Sequence, residues 1–233
     1  MNFPIYLKEF IYRGDDLVKV ADSVYGFTSR IEEQKLDALN KKRTLLLVSG
    51  FSGAGKDSVV SELIKTSDRF GWIKTCTTRP RRPEETIEND TYIRLTESSF
   101  QKALKSGDVV ESVEYAGNHY CSLTSVFEKA FETYEIPVIR IEPKGSRVYS
   151  DLWKKNEWLF DKVSLIYVFV VPPSVKVLEQ RLLGRSGDPV LVDKRITQMK
   201  TDISYINDAE YIVINETGKL DVVVKDLMGL IFS

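Results

Sequence analysis

Residues 44–58 read Thr44-Leu45-Leu46-Leu47-Val48-Ser49-Gly50-Phe51-Ser52-Gly53-Ala54-Gly55-Lys56-Asp57-Ser58, and this order decides the fold. The apolar run does not alternate with polar residues, so it reads as a strand covered on both faces, as in a parallel sheet. Gly50 to Lys56 then fits G-x-x-x-x-G-K, a phosphate-binding loop. Its glycines let successive backbone N–H groups turn toward phosphate oxygens, and Lys56 adds a compact positive charge. A helix-compatible stretch follows at Asp57–Lys65, whose N-terminal end also favours an anion. A strand feeding the loop and a helix leaving it make the motif specific. Lys56 is expected on an exposed loop facing the phosphates of ATP.

Outward from this loop the same rhythm repeats. Strands are expected at Pro137–Ile141, Leu165–Val171 and Tyr211–Ile214. Helices are expected at Thr124–Thr133, Ser174–Leu183, Val192–Asn207 and Lys219–Ile231. Strands alternating with helices imply βαβ units and a mainly parallel sheet. One segment departs from the rhythm: strand Tyr92–Leu95, helix Glu97–Lys105, strand Val109–Tyr115, a turn at 116–118 and strand His119–Cys121. Thr96 is placed to cap that helix and Gly107 to end it. This reads as a small antiparallel insert for acceptor binding. Asp15 to Arg43 is charged and helix-compatible, and it reads as an N-terminal helical extension used for packing. The expected division is therefore 1–43 and 44–233, with an insert over about 77–124 and a lid over about 184–196.

The chain has 233 residues, with 33 Lys and Arg against 34 Asp and Glu, a net charge of −1. That balance argues against a broad nucleic-acid-binding face. Two cysteines, Cys76 and Cys121, cannot form a disulfide framework, and the single His119 excludes His-rich metal sites. No stretch has the roughly 18 apolar residues of a membrane span, and residues 1–10 do not show a basic region followed by an apolar stretch and a small-residue cleavage site, so no signal peptide is expected. A cytoplasmic protein without membrane partners, monomeric or homodimeric, is expected.

Thr77-Thr78-Arg79-Pro80-Arg81-Arg82 supplies guanidinium groups able to clamp a phosphate, although such a segment read alone is equally a solvated basic loop. Together with the loop at Gly50–Lys56, this segment resembles the guanylate kinase family. So do Glu111 to Ser122, Val171-Pro172-Pro173-Ser174, Arg181 to Arg185, Lys194-Arg195-Ile196 and Tyr211 to Asn215, in family order from about Thr44 to Ser233. The resemblance implies an α/β P-loop nucleoside monophosphate kinase fold, a parallel sheet flanked by helices. It implies ATP-dependent phosphorylation of GMP or dGMP with Mg²⁺ as cofactor. By the same resemblance Gly50, Ser52, Gly53, Ala54, Gly55, Lys56, Asp57, Ser58, Arg181 and Asn215 bind ATP. Arg79, Arg82, Tyr92, Glu111, Tyr120, Ser122 and Glu142 bind GMP. Lys56, Arg79, Arg185 and Arg195 act on the transferring phosphoryl group.

The chemistry supports Glu111 independently. Guanine presents N1–H and a 2-amino group side by side, and one carboxylate accepts both. Adenine offers an acceptor at N1 instead, and a site built on such hydrogen bonds rejects the analogue by roughly 10⁴-fold.

The chain leaves the family's pattern at several positions, Cys121 in place of a glycine among them, and two places bear on the metal and the acceptor. Asp57 stands where the loop wants Ser or Thr. It serves either as a ligand of Mg²⁺ or only as a first-turn charge on the helix dipole. Arg140-Ile141-Glu142-Pro143-Lys144-Gly145 replaces the family's D-[IV]-D-x-Q-G, so an arginine stands in place of the first acid. Gly55-Lys56-Asp57-Ser58 also resembles ribose 1,5-bisphosphate phosphokinases. That activity, or a non-catalytic guanylate-kinase-like binding module, is the alternative.

Overall fold

The structure, a computed structural model, describes residues 43–81, 85–88, 90–115 and 117–232, with the backbone of three short strands before residue 20. Those strands are β1 (Ile5–Tyr6), β2 (Phe10–Arg13) and β3 (Asp16–Lys19). The helix expected from Asp15 to Arg43 therefore overlaps a strand at Asp16–Lys19, which pairs with β2. Residues 20–42 lie outside the described residues.

The apolar run expected as the founding strand is β4 (Arg43–Gly50). Leu45, Leu46, Leu47 and Val48 are fully buried, because helices cover both faces. Each such aliphatic side chain contributes about 1.5–3 kcal/mol on burial. β4 lies at the centre of the main sheet, parallel to β10 (Ile136–Arg140) on one side and β11 (Val163–Val171) on the other. β5 (Phe70–Ile73) and β12 (Tyr211–Ile214) flank these, also parallel, and β1 closes one edge antiparallel to β12. The order is β1-β12-β11-β4-β10-β5.

A second sheet, β7-β6-β9-β8, carries the insert. It comprises β6 (Thr75–Thr77), β7 (Tyr92–Arg94), β8 (Val109–Tyr115) and β9 (Asn118–Leu123). Its pairs are antiparallel except β6 with β7, which run parallel. Cys76 and Cys121 face each other across β6 and β9 as buried free thiols beside Phe100.

The helices are α1 (Lys56–Thr66), α2 (Glu97–Ser106), α3 (Thr124–Thr133), α4 (Pro143–Lys154), α5 (Val175–Ser186), α6 (Pro189–Asp202) and α7 (Leu220–Phe232). Thr96 caps α2 by accepting from Ser99 N, and Gly107 ends it at φ 74°, as the sequence suggests. The helix expected over Val192–Asn207 begins earlier, because Asp188 caps it and Pro189 starts it. It gives way to a 3₁₀ turn at Ile203–Asp208. No described helix is long and apolar enough to cross a membrane.

In an open parallel sheet the ligand crevice lies beyond the carboxyl ends of the strands. Here β4 ends at Gly50, β10 at Arg140, β11 at Val171 and β12 at Ile214. Nearly every residue singled out above lies just past one of those ends or on the insert.

Candidate active site

The glycines of the loop are set by close approaches. Gly50 has φ 146°, and a Cβ there would lie 2.1 Å from Val170 O. Gly55 has φ 95°, and a Cβ would lie 2.2 Å from Asn215 Nδ2. No other residue fits either position without moving backbone or a buried amide. Phe51 anchors the loop from below, its ring edge-on to Phe169 at 5.2 Å. Asn215 Nδ2 donates to Ala54 O at 2.8 Å, and Arg181 Nη2 donates to Asn215 O at 2.8 Å and Thr217 Oγ1 at 3.0 Å. The end of β12, the middle of α5 and the loop are thereby tied together. This is where the resemblance places the adenine side of ATP.

Lys56 differs from its expectation. Its side chain is only 6% exposed, folded back so that Nζ donates to Gly50 O at 2.7 Å and Phe51 O at 3.2 Å. Glu142 Oε2 lies 3.5 Å away. Buried backbone carbonyls require donors, and the ammonium satisfies two of them. Glu142, the N-cap position of α4, remains 60% exposed at the cleft. The surrounding protein opposes its ionisation, but Lys56 and then Arg140 outweigh that and hold its carboxyl below the usual range. Arg195 on α6 adds to the same field. Arg185, on the last turn of α5, is exposed and makes no hydrogen bond or ion pair with a described residue.

On the acceptor side, Ser122 Oγ donates to Glu111 Oε1 at 2.7 Å across β8 and β9. Burial raises the Glu111 carboxyl above its ordinary pKa, and the Ser122 hydrogen bond only partly offsets this. Its other oxygen lies against α4, 3.5 Å from where a Cβ on Gly145 would be. Tyr149, one turn further along α4, is fully buried nearby, its phenol pushed well up by burial first and by Glu111 second. Tyr92 and Tyr120 meet edge to face at 5.9 Å. The structure thus brings Glu111, Ser122, Tyr92 and Tyr120 onto one side of the cleft.

Arg79 is there too, but occupied: Nη2 donates to Glu85 Oε1 at 2.6 Å. Glu85 also receives Arg94 Nη2 at 2.8 Å, while buried Asp90 accepts from Arg94 Nε and Arg81 Nε, both at 2.8 Å, and from Tyr92 N at 3.0 Å. Arg94, Glu85 and Asp90 were not singled out from the sequence. The Asp90–Arg94 spacing is the one hint of them. Arg82 lies outside the described residues.

Asp57 is 58% exposed, and its Oδ1 sits 2.8 Å from Arg140 Nε. No three His, Cys, Asp or Glu among the described residues are grouped to hold a metal. A single carboxylate already faced by a guanidinium is not a protein-built magnesium site. Kinase magnesium is held largely by nucleotide phosphates with one or two carboxylates. The described residues therefore do not build a metal site by themselves.

A parallel sheet with a glycine loop and buried lysine at its centre, and a separate sheet bearing arginines and tyrosines across the cleft, defines a P-loop kinase fold. The family model for guanylate kinase matches residues 41–233. The guanylate kinase of Streptococcus agalactiae serotype III (strain NEM316) is 29% identical over 184 residues, covering 78% of this chain and 83% of its own. That of Clostridioides difficile (strain 630) is 27% identical over 194 residues, 83% and 89% of the two chains. The crystal structure of guanylate kinase from Anaplasma phagocytophilum shares the fold at a TM-score of 0.59 and 17% identity, covering 82% of this chain and 85% of that one. This chain belongs to the guanylate kinase family.

Proposed function

We propose that the chain transfers the γ-phosphoryl group of ATP to GMP, giving ADP and GDP, with Mg²⁺ arriving on the ATP phosphates. The observation that carries this reading is the reach of one helix. Glu142, at the N-cap of α4, meets Lys56 of the phosphate loop, while Gly145 on the first turn abuts Glu111. A purine read by Glu111 and Ser122 is then held at a fixed distance from the phosphates that Lys56 binds.

In this reading an oxygen of the GMP phosphate attacks the γ-phosphorus as the bond to the β,γ-bridging oxygen breaks. With a dianionic acceptor no proton need move. The protein supplies position and charge. The loop amides and Lys56 hold the donor, with Lys56 leaving the Gly50 and Phe51 carbonyls for phosphate oxygens. Arg79 and Arg82, with Tyr92 and Tyr120, hold the acceptor phosphate once it displaces Glu85 from Arg79. Arg181 and Asn215 shape the adenine side around Ser52, Gly53, Ala54 and Ser58. Arg195 and Arg185 close over the donor phosphates and exclude water, which would otherwise hydrolyse ATP.

The test is coupled ADP release with GMP, dGMP, AMP, CMP, UMP and ribose 1,5-bisphosphate as acceptors. GMP or dGMP turnover at least about 10³-fold above AMP is expected from a site whose polar groups match guanine. Preference for ribose 1,5-bisphosphate would replace this reading with the sugar-phosphate one.

A further inference from the structure

Asp57 and Arg140 are two of the positions at which the chain leaves its family's pattern, and the fold joins them in one contact. Arg140 ends β10 and is 7% exposed, yet its contacts are made across the cleft. Nε faces Asp57 on the helix behind the phosphate loop. Nη1 donates to Tyr92 Oη at 3.1 Å, and Nη2 reaches Thr91 Oγ1 only at 3.4 Å. The cation lies 5.1 Å from the centroid of the Tyr92 ring. The contact between Nε and Asp57 is a charge pair whose N–H is poorly aimed, so Nε makes no hydrogen bond. Of the five donors on a guanidinium, only two are used among the described residues, one of them at long range.

A buried, permanently charged fork with unspent donors, beside a tyrosine at the meeting point of donor and acceptor, suits a phosphate. The charges agree. The family's Ser and Asp would sum to −1 at these two positions, whereas Asp57 and Arg140 sum to zero. The site is more positive by one unit where two phosphate groups must approach each other.

We propose that Arg140 is a ligand of the acceptor phosphate, held alongside Tyr92, and that Asp57 is the positioning residue that orients it rather than a ligand of magnesium. This rests on the GMP reading and adds a residue to it. Asp57 fixes the Nε edge, which leaves the Nη edge turned toward Tyr92. Arriving phosphate oxygens accept from Nη1 and Nη2, replacing the long contact to Thr91.

The test is equilibrium binding of GMP and of guanosine, without ATP or metal, to wild type, Arg140→Lys, Asp57→Asn and the double variant. Lysine keeps the charge but not the fork. The ratio of GMP to guanosine affinity should fall roughly 10- to 100-fold in Arg140→Lys, with guanosine binding unchanged. Asp57→Asn should lower the ratio by less, and the double variant should match Arg140→Lys. The Mg²⁺ concentration at half-maximal kinase rate should be the same in Asp57→Asn and wild type. An unchanged ratio in Arg140→Lys overturns the phosphate role. A raised Mg²⁺ requirement in Asp57→Asn with an unchanged ratio makes Asp57 a metal ligand instead. AMP binding to the wild type, measured alongside, is the control: failure to bind GMP more tightly than AMP overturns the GMP reading itself, and this assignment with it.

Discussion

Asp57 Oδ1 and Arg140 Nε stand 2.8 Å apart, joining the helix behind the phosphate loop to the end of the neighbouring strand. A lone carboxylate at Asp57 would oppose a phosphate ~5 Å away by roughly 3 kcal/mol at an effective dielectric of ~20. Arg140 offsets that. In turn Arg140 keeps its charge although burial opposes it, because Asp57 foremost, with Tyr92 and Glu142, outweighs the burial. Each residue makes the other tolerable.

Changing one partner alone should therefore cost more than changing both. Arg140→Asp sets a buried carboxylate against the half-exposed one of Asp57, and loss of about 1–3 kcal/mol of stability is expected. Adding Asp57→Ser, which restores the family's pattern at both positions, should recover a substantial part. Urea unfolding of the four proteins gives the coupling, and simple additivity would mean that the pair is energetically idle.

Lys56→Ala should lower kcat by roughly 10²–10³-fold or more, since it removes a fixed charge at the developing phosphoryl transition state. Because Nζ also serves the carbonyls of Gly50 and Phe51, a loss of about 1–2 kcal/mol of stability is expected as well. Near-normal turnover would refute the placement of Lys56 against the donor.

Glu111 trades stability for recognition. Its folded-state pKa is raised above the ordinary 4.5, so the folded chain prefers it protonated. Its stabilising contribution is complete below the unfolded value and is lost as pH rises through the folded one. Burial opposes its ionised form, so Glu111→Gln, which removes the charge, should raise the melting temperature. The same change should abolish most of the GMP-over-AMP preference. GMP affinity of the wild type should weaken as pH falls into the raised range where Glu111 takes a proton. A variant both less stable and equally selective would contradict this role.

Gly55→Ala tests the loop geometry without touching a charge. At φ 95°, with Asn215 Nδ2 2.2 Å from the new Cβ, it should cost about 1–3 kcal/mol of stability and weaken ATP binding. Melting curves with and without ATP separate the two effects. Retention of both would mean that the loop relaxes freely.

The central strand and loop were legible in the sequence because their signals are local: an unalternating Leu45–Val48 run, then glycines at fixed spacing. The Thr96 cap and the Gly107 stop were legible for the same reason. Helix α4 is less legible, since Glu142-Pro143-Lys144-Gly145 departs from the family's motif and its one local helix signal is Pro143 in the first turn. Burial of Lys56 is not legible because a motif names the residue but not the backbone carbonyls that its amine folds back to meet. The network of Arg79, Glu85, Asp90 and Arg94 and the pairing of Asp57 with Arg140 were hidden for a different reason. Each depends on strands distant in sequence being laid side by side, and no spacing along the chain encodes that.

The central claim, phosphoryl transfer to GMP in a closed site, is tested most directly by following ³¹P resonances of ATP and GMP mixed with the protein and Mg²⁺. The account predicts that β- and α-phosphorus signals of GDP and ADP grow together in equal amounts, with inorganic phosphate at background. Accumulation of ADP and inorganic phosphate without GDP, or no reaction, would contradict it.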